Sequence, residues 1–128
     1  MAKAKLPRPT DGELEILRVL WRAGPSTVRE VHAALAAERE VGYTTVLKLL
    51  QIMTEKGLVD RDDAQRSHVY RARHREERMQ QQLVADLLAR AFGGAADKLV
   101  MQALAAGNAS AAELAEIRKL LDELEDKP

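Results

Sequence analysis

Residues 41–60 read VGYTTVLKLLQIMTEKGLVD, and the way this stretch sorts its side chains decides the fold. With Val46 at 0° on a helical wheel of about 100° per residue, Leu50 falls near 40°, Leu49 near 300° and Met53 near 340°. Thr44, Lys48, Gln51 and Glu55 fall between roughly 140° and 200° on the same wheel. One side is therefore apolar, and the other carries a hydroxyl, an amide, a carboxylate and one amine. Gly57 follows the last periodic residue as a helix-ending glycine, so the stretch predicts a helix that begins at Tyr43 or Thr44 and ends at Gly57. Hydroxyls, amides and amines bond phosphates and base edges, which makes this a candidate DNA-reading helix.

Working outward from it, Thr10 and Glu13 form a capping-box pattern. Leu14, Leu17, Val19, Leu20 and Trp21 then recur at helical spacing until Gly24-Pro25, which predicts a first helix over roughly residues 11–23. Thr27 with Glu30 repeats the signal, and Val28, Val31 and Leu35 carry a second helix to about Arg39. Three short helices joined by tight turns make a helix-turn-helix pattern. Beyond Gly57 the period changes. LVDRD (58–62) and SHVYRA (67–72) are strand-like, with Asp63, Ala64, Gln65 and Arg66 as a polar turn between them. A two-stranded hairpin in that position is a wing. Trp21 reads as a core residue and Tyr70 as packing on the third helix; Tyr43 reads equally as packing or as a phosphate contact.

From Arg75 the chain returns to helix, with Leu83, Leu87 and Leu88 at helical spacing, until Phe92-Gly93-Gly94. A fifth helix is expected over about 97–106, and a sixth opens with Ser110 and Glu113 in another capping box. These two helices hold Leu99, Val100, Leu104, Leu114, Ile117, Leu120, Leu121 and Leu124, more apolar surface than so short a segment can hide by itself. Pairing with a second chain would hide it. The expected fold class is mainly α with a small β-wing: a winged helix-turn-helix domain over residues 1–74 and a helical dimerisation domain over 75–128.

The bulk composition agrees with this reading. The 128 residues are 46% hydrophobic and 31% charged, with one Trp, two Tyr, one Phe and no Cys. A chain of this length has a modest core and is prone to need a partner's surface. The zero net charge conceals an asymmetry: residues 1–74 hold 13 Lys+Arg against 10 Asp+Glu (+3), and residues 75–128 hold 7 against 10 (−3). A polyanion partner would suit the first part only. Apolar runs are too short to cross a membrane, and the N-terminus lacks a secretory signal, so a cytoplasmic protein without membrane insertion is expected. His32, His68 and His74 fall on separate elements, Ser26 and Ser110 sit at a turn and a cap, and no glycine-rich phosphate loop exists. No enzyme activity, catalytic residue, metal or cofactor is expected.

LEILRVLW (14–21), TVREVHAAL (27–35), YTTVLKLLQIMTEKGLV (43–59) and SHVYRA (67–72), as an ordered set, resemble the penicillinase repressor family of BlaI/MecI/CopY-type winged-helix transcriptional repressors. The likeness extends through the three helices after the wing. It implies a homodimer that represses transcription from a palindromic double-stranded DNA operator. It also implies that Thr44, Thr45 and Lys48 reach bases or phosphates in the major groove and that Arg66 touches the backbone or minor groove at the wing tip. The wheel adds Gln51, and position adds Tyr43. In members of that family a membrane sensor with a metalloprotease domain leads to cleavage in the C-terminal domain. The corresponding bond here would lie near Gln102-Ala103, where the family's Asn-Phe pair is absent. The cysteine-dependent copper response of some relatives has no ligands in this chain, so the inducing signal stays open. The competing reading is a winged-helix module that binds protein without sequence-specific DNA recognition, since a fold does not fix a function.

Overall fold

The computed structural model describes residues 5–64 and 66–127; Gln65, expected in the wing turn, lies outside the described residues. The chain divides into two compact units, residues 1–84 and 85–128. The first holds α1 (Asp11–Ala23), β1 (Ser26–Thr27), α2 (Val28–Ala36), α3 (Tyr43–Lys56), β2 (Val59–Asp62), β3 (Val69–Ala72) and the start of α4 (Glu76–Ala91).

Several helix ends have a local reason. The Thr10 hydroxyl accepts the Glu13 N–H at 3.2 Å while the Glu13 carboxylate accepts the Thr10 N–H at 2.8 Å. Thr27 and Glu30 repeat this at the start of α2 with the same two distances. Such caps contribute on the order of 1 kcal/mol each. The second helix stops at Ala36, short of the expected Arg39. There the Glu38 and Arg39 N–H groups both donate to the Leu35 carbonyl, and the Arg39 guanidinium turns to grip Glu15 of α1 through two nitrogens at 3.0 Å. At the far end of α3, Gly57 takes φ 82°. Leu58 N–H then reaches the Met53 carbonyl at 2.9 Å and Gly57 N–H the Thr54 carbonyl at 3.2 Å, which closes the helix and sends the chain into β2.

The wing is larger than the expected hairpin. Its antiparallel sheet has three strands in the order β1-β3-β2, with Val59 opposite Ala72, Asp62 opposite Val69, and Ser26 opposite Tyr70. Two-residue β1 exists only because β3 supplies its partner, and so short a segment has no periodicity of its own. Between the helices and this sheet lies one core that includes Ile16, Leu17, Val31, Val46, Leu50, Met53, Leu58, Val59, Tyr70 and Met79. Tyr70 is a core side chain. Trp21 is only partly covered, packed against the core's edge with its indole N–H donating to the His74 carbonyl at 3.0 Å.

The second unit comprises the rest of α4, α5 (Ala96–Ala105) and α6 (Ala111–Glu125). Ser110 and Glu113 cap α6 reciprocally, both bonds at 3.1 Å. No side chain of α5 or α6 is buried among the described residues. Val100, Leu120, Leu121 and Leu124 stand 45–54% exposed, and Leu99, Leu104, Leu114 and Ile117 are half-buried. No helix of the described residues is long and apolar enough to cross a membrane.

Candidate nucleic-acid interface

The third helix sorts its residues as its wheel requires. Val46, Leu50 and Met53 are completely covered, whereas Tyr43, Thr44, Thr45, Lys48, Gln51 and Glu55 are exposed. The apolar side therefore locks α3 onto α1 and α2 and leaves the polar side open along its length. Gly42 precedes the helix and gives no side-chain cap, so the first-turn N–H groups of α3 lack the closure that Thr10, Thr27 and Ser110 give elsewhere.

Two shallow grooves flank this helix where it meets the wing. The first, of about 410 Å³, brings Tyr43 and Leu47 of α3 together with Arg66 and His68 of the wing and Arg29 near the start of α2. Tyr43 is half exposed and is held by α2: its ring meets His32 edge-on, centroids 5.8 Å apart at 75°. Nε2 of His32 lies 2.8 Å from the Val41 carbonyl. A carbonyl only accepts, so this nitrogen carries a proton and fixes the ring in one orientation. Along the helix, Gln51, Thr54, Glu55 and Arg61 line the second groove, of about 370 Å³.

Arg61 escaped the sequence reading, although the strand alternation contained it: it lies two residues beyond buried Val59 and opposite core Tyr70. Its Nε sits 2.8 Å from Asp63 Oδ1, an oxygen that His68 Nδ1 also approaches at 2.8 Å. The hydrogen bond to Asp63 and its charge, helped by the Tyr70 hydroxyl, hold the Arg61 guanidinium above its ordinary pKa. Two further arginines of the winged part share a carboxylate partner. Arg73 reaches Asp60 at 2.7 and 2.8 Å, and Arg71 approaches the same carboxylate at 3.8 Å.

A buried carboxylate braces the other end of α3. Glu13 is 2% exposed, and Lys56, the last residue of the helix, reaches it at 2.6 Å. Burial alone would raise the Glu13 carboxyl; the Lys56 hydrogen bond and charge, together with the Thr10 amide and hydroxyl, outweigh it and hold the pKa below the ordinary value. In the second unit, Gln102 and Ala103 are exposed on α5.

A family model described as penicillinase repressor matches residues 9–123. Transcriptional regulator BlaI of Mycobacterium tuberculosis, in two strains, is 42% identical over 89 residues, 69% of this chain and 64% of that protein. The chain thus spans a little under two thirds of the length of these curated relatives. Among solved structures, the Bacillus licheniformis BlaI monomeric form in complex with the blaP half-operator is 26% identical, with a TM-score of 0.51 over 57% of this chain and 89% of that one. The DNA-binding domain of the repressor BlaI agrees as closely, at TM-score 0.51 and 26% identity over 58% of this chain and 90% of its own. A cysteine-to-serine mutant of MarR from E. coli matches over 91% of this chain and 77% of its own at TM-score 0.52 and 19% identity, a likeness of fold alone.

Proposed function

The chain belongs to the penicillinase repressor family, and from that premise we propose that it is a transcriptional repressor that binds a palindromic DNA operator as a homodimer. The observation that carries this reading is the polar side of α3, with Thr44, Thr45, Lys48 and Gln51 exposed, Ile52 exposed beside them, and Val46, Leu50 and Met53 fully covered on the opposite side. Such a helix enters the major groove, and its hydroxyls, amide and amine meet base edges and phosphates there. Arg66 and Arg61 of the wing, with Tyr43 and Arg29, meet the backbone on either side. One relative was solved on a half-operator; a half-operator is what one winged helix would cover.

Pairing supplies the second half. α5 and α6 expose Val100, Leu120, Leu121 and Leu124, and a full burial of each would contribute about 1.5–3 kcal/mol. The winged helix over residues 1–74 then acts as the reading head and the helices within 75–128 as the clamp. A two-fold axis sets two copies of α3 about 34 Å apart, one turn of duplex. For release, we propose cleavage of α5 at or near Gln102-Ala103, by a membrane sensor metalloprotease or another protease. Both residues are exposed, and α5 has neither a buried side chain nor a side-chain N-cap among the described residues.

The test is a footprint on the DNA upstream of the protein's own gene, followed by binding to the protected duplex over a range of salt. Operator recognition requires a protected inverted repeat and an affinity that falls steeply with salt through counterion release. No protected repeat together with a flat salt response would favour the protein-binding module.

A further inference from the structure

The first described residues form a strap that the DNA-reading role does not explain. Gln82, on α4, uses its single side-chain amide to hold both backbone groups of Leu6: the Leu6 N–H donates to Oε1 at 2.7 Å, and Nε2 donates to the Leu6 carbonyl at 2.7 Å. The Leu6 side chain is itself 7% exposed and part of the core. Two residues on, the Arg8 carbonyl accepts from Lys56 Nζ at 3.2 Å, the same ammonium that pairs with Glu13 at 2.6 Å. Thr10 then caps α1. Within five residues the chain is therefore fastened to α4, to the end of α3 and to the start of α1.

This matters because of where Gln82 lies. Helix α4 runs without interruption from Glu76 to Ala91, while the first compact unit ends at Val84. The chain entering α4 is held at the His74 carbonyl by Trp21, and α4 itself is fixed before that point by Met79 in the core, by Leu83 packed on it, and by the Gln82 clasp. Gln82 thus fastens α4 two residues ahead of the boundary. A side chain that satisfies an N–H and a C=O together, like a rung of sheet, resists both sliding and rotation of the helix against the strap.

We propose that Gln82 is a positioning residue for operator recognition: through Leu6 and the strap it makes the first turns of α4 move as one body with α3, and so sets the half-site spacing that the repressor accepts. The idea rests on the DNA-binding dimer proposed above. It assigns Gln82 no contact with DNA, and it predicts that the clasp governs the pairing of two half-sites and not the grip on one.

The experiment uses the full chain and Gln82→Leu, which keeps the bulk and removes both hydrogen bonds. The probes are a palindrome selected by the wild type from random duplex DNA, its single half-site, and versions with one or two base pairs added or removed at the centre. The variant should hold the half-site as the wild type does, lose about tenfold of its preference for the palindrome, and discriminate less against altered spacing, as expected when two hydrogen bonds are removed. An unchanged palindrome-to-half-site ratio and an unchanged spacing profile would overturn the proposal, as would an equal loss on both probes. A wild type that enriches no palindrome would bring down the dimer reading, and the spacing role with it. The strap itself is checked without DNA: amide exchange in residues 79–84 should quicken in Gln82→Leu while that of 46–53 stays put, and wild-type exchange throughout would show that the clasp fastens nothing.

Discussion

Lys48 and Arg66 are both exposed and are the two cations that the proposed DNA interface depends on most. Lys48→Ala and Arg66→Ala should each weaken binding to the operator roughly tenfold and reduce the slope of log affinity against log salt by about one for each phosphate left without its cation. Gel filtration should meanwhile show the wild-type assembly. Affinity and slope both unchanged would remove these residues from the interface. Glu13 makes a claim about pH. Its folded-state pKa is held below the ordinary carboxylate value, so its stabilising share is present above that value and disappears as the pH falls through the lower, folded-state one. Glu13→Gln should therefore be less stable than the wild type near about pH 7, with the difference in urea midpoint shrinking toward about pH 3. Parallel pH curves for the two proteins would contradict the role given to the buried pair. Lys56→Met strands the same carboxylate in the interior and should destabilise by about 1–3 kcal/mol.

At the scale of the element, α3 depends on how it ends as much as on what it exposes. Gly57 sits at φ 82°, and a Cβ there would meet the Arg73 guanidinium at 2.9 Å. Gly57→Ala should lower stability by about 1–2 kcal/mol from the backbone alone, seen as a lower melting temperature; an unchanged one would mean the turn can relax. In α6, Leu120→Asp places a charge on the face assigned to the partner. It should yield monomers with weak operator binding, measured by sedimentation, and a persistent tight dimer would place the clamp elsewhere.

The elements were legible where the signal was local. Thr10, Thr27 and Ser110 each announce a helix with a carboxylate three residues on, and Val46, Leu50 and Met53 announce which side of α3 is covered. β1 was not legible, because Ser26 and Thr27 become a strand only through Tyr70 and Val69. The pairing of Arg39 with Glu15 was not legible either, because Glu15 belongs to another helix. The Gln82 clasp was invisible for the same reason, since its partner lies 76 residues away. Arg61 was overlooked because a charged residue beside acids in a short strand reads as solvated edge, and only the register with Tyr70 turns it toward α3.

For the whole molecule, the two compact units divide the work proposed for them. The first has a closed core and one open polar helix; the second has amphipathic helices with no closed core of their own among the described residues. A winged unit with a formal charge of only +3 over residues 1–74 would bind a polyanion weakly as a single copy. In the proposed dimer, two copies on one duplex would double the phosphate contacts and bind with an effective concentration set by the clamp. Strong salt dependence and strong preference for an inverted repeat should therefore appear together, and both should vanish when the clamp is broken. The most direct measurement is native mass spectrometry of the full chain mixed with its footprinted duplex at low ionic strength. A complex of one duplex and two chains is expected; a duplex carrying a single chain, or none, would rule out paired recognition.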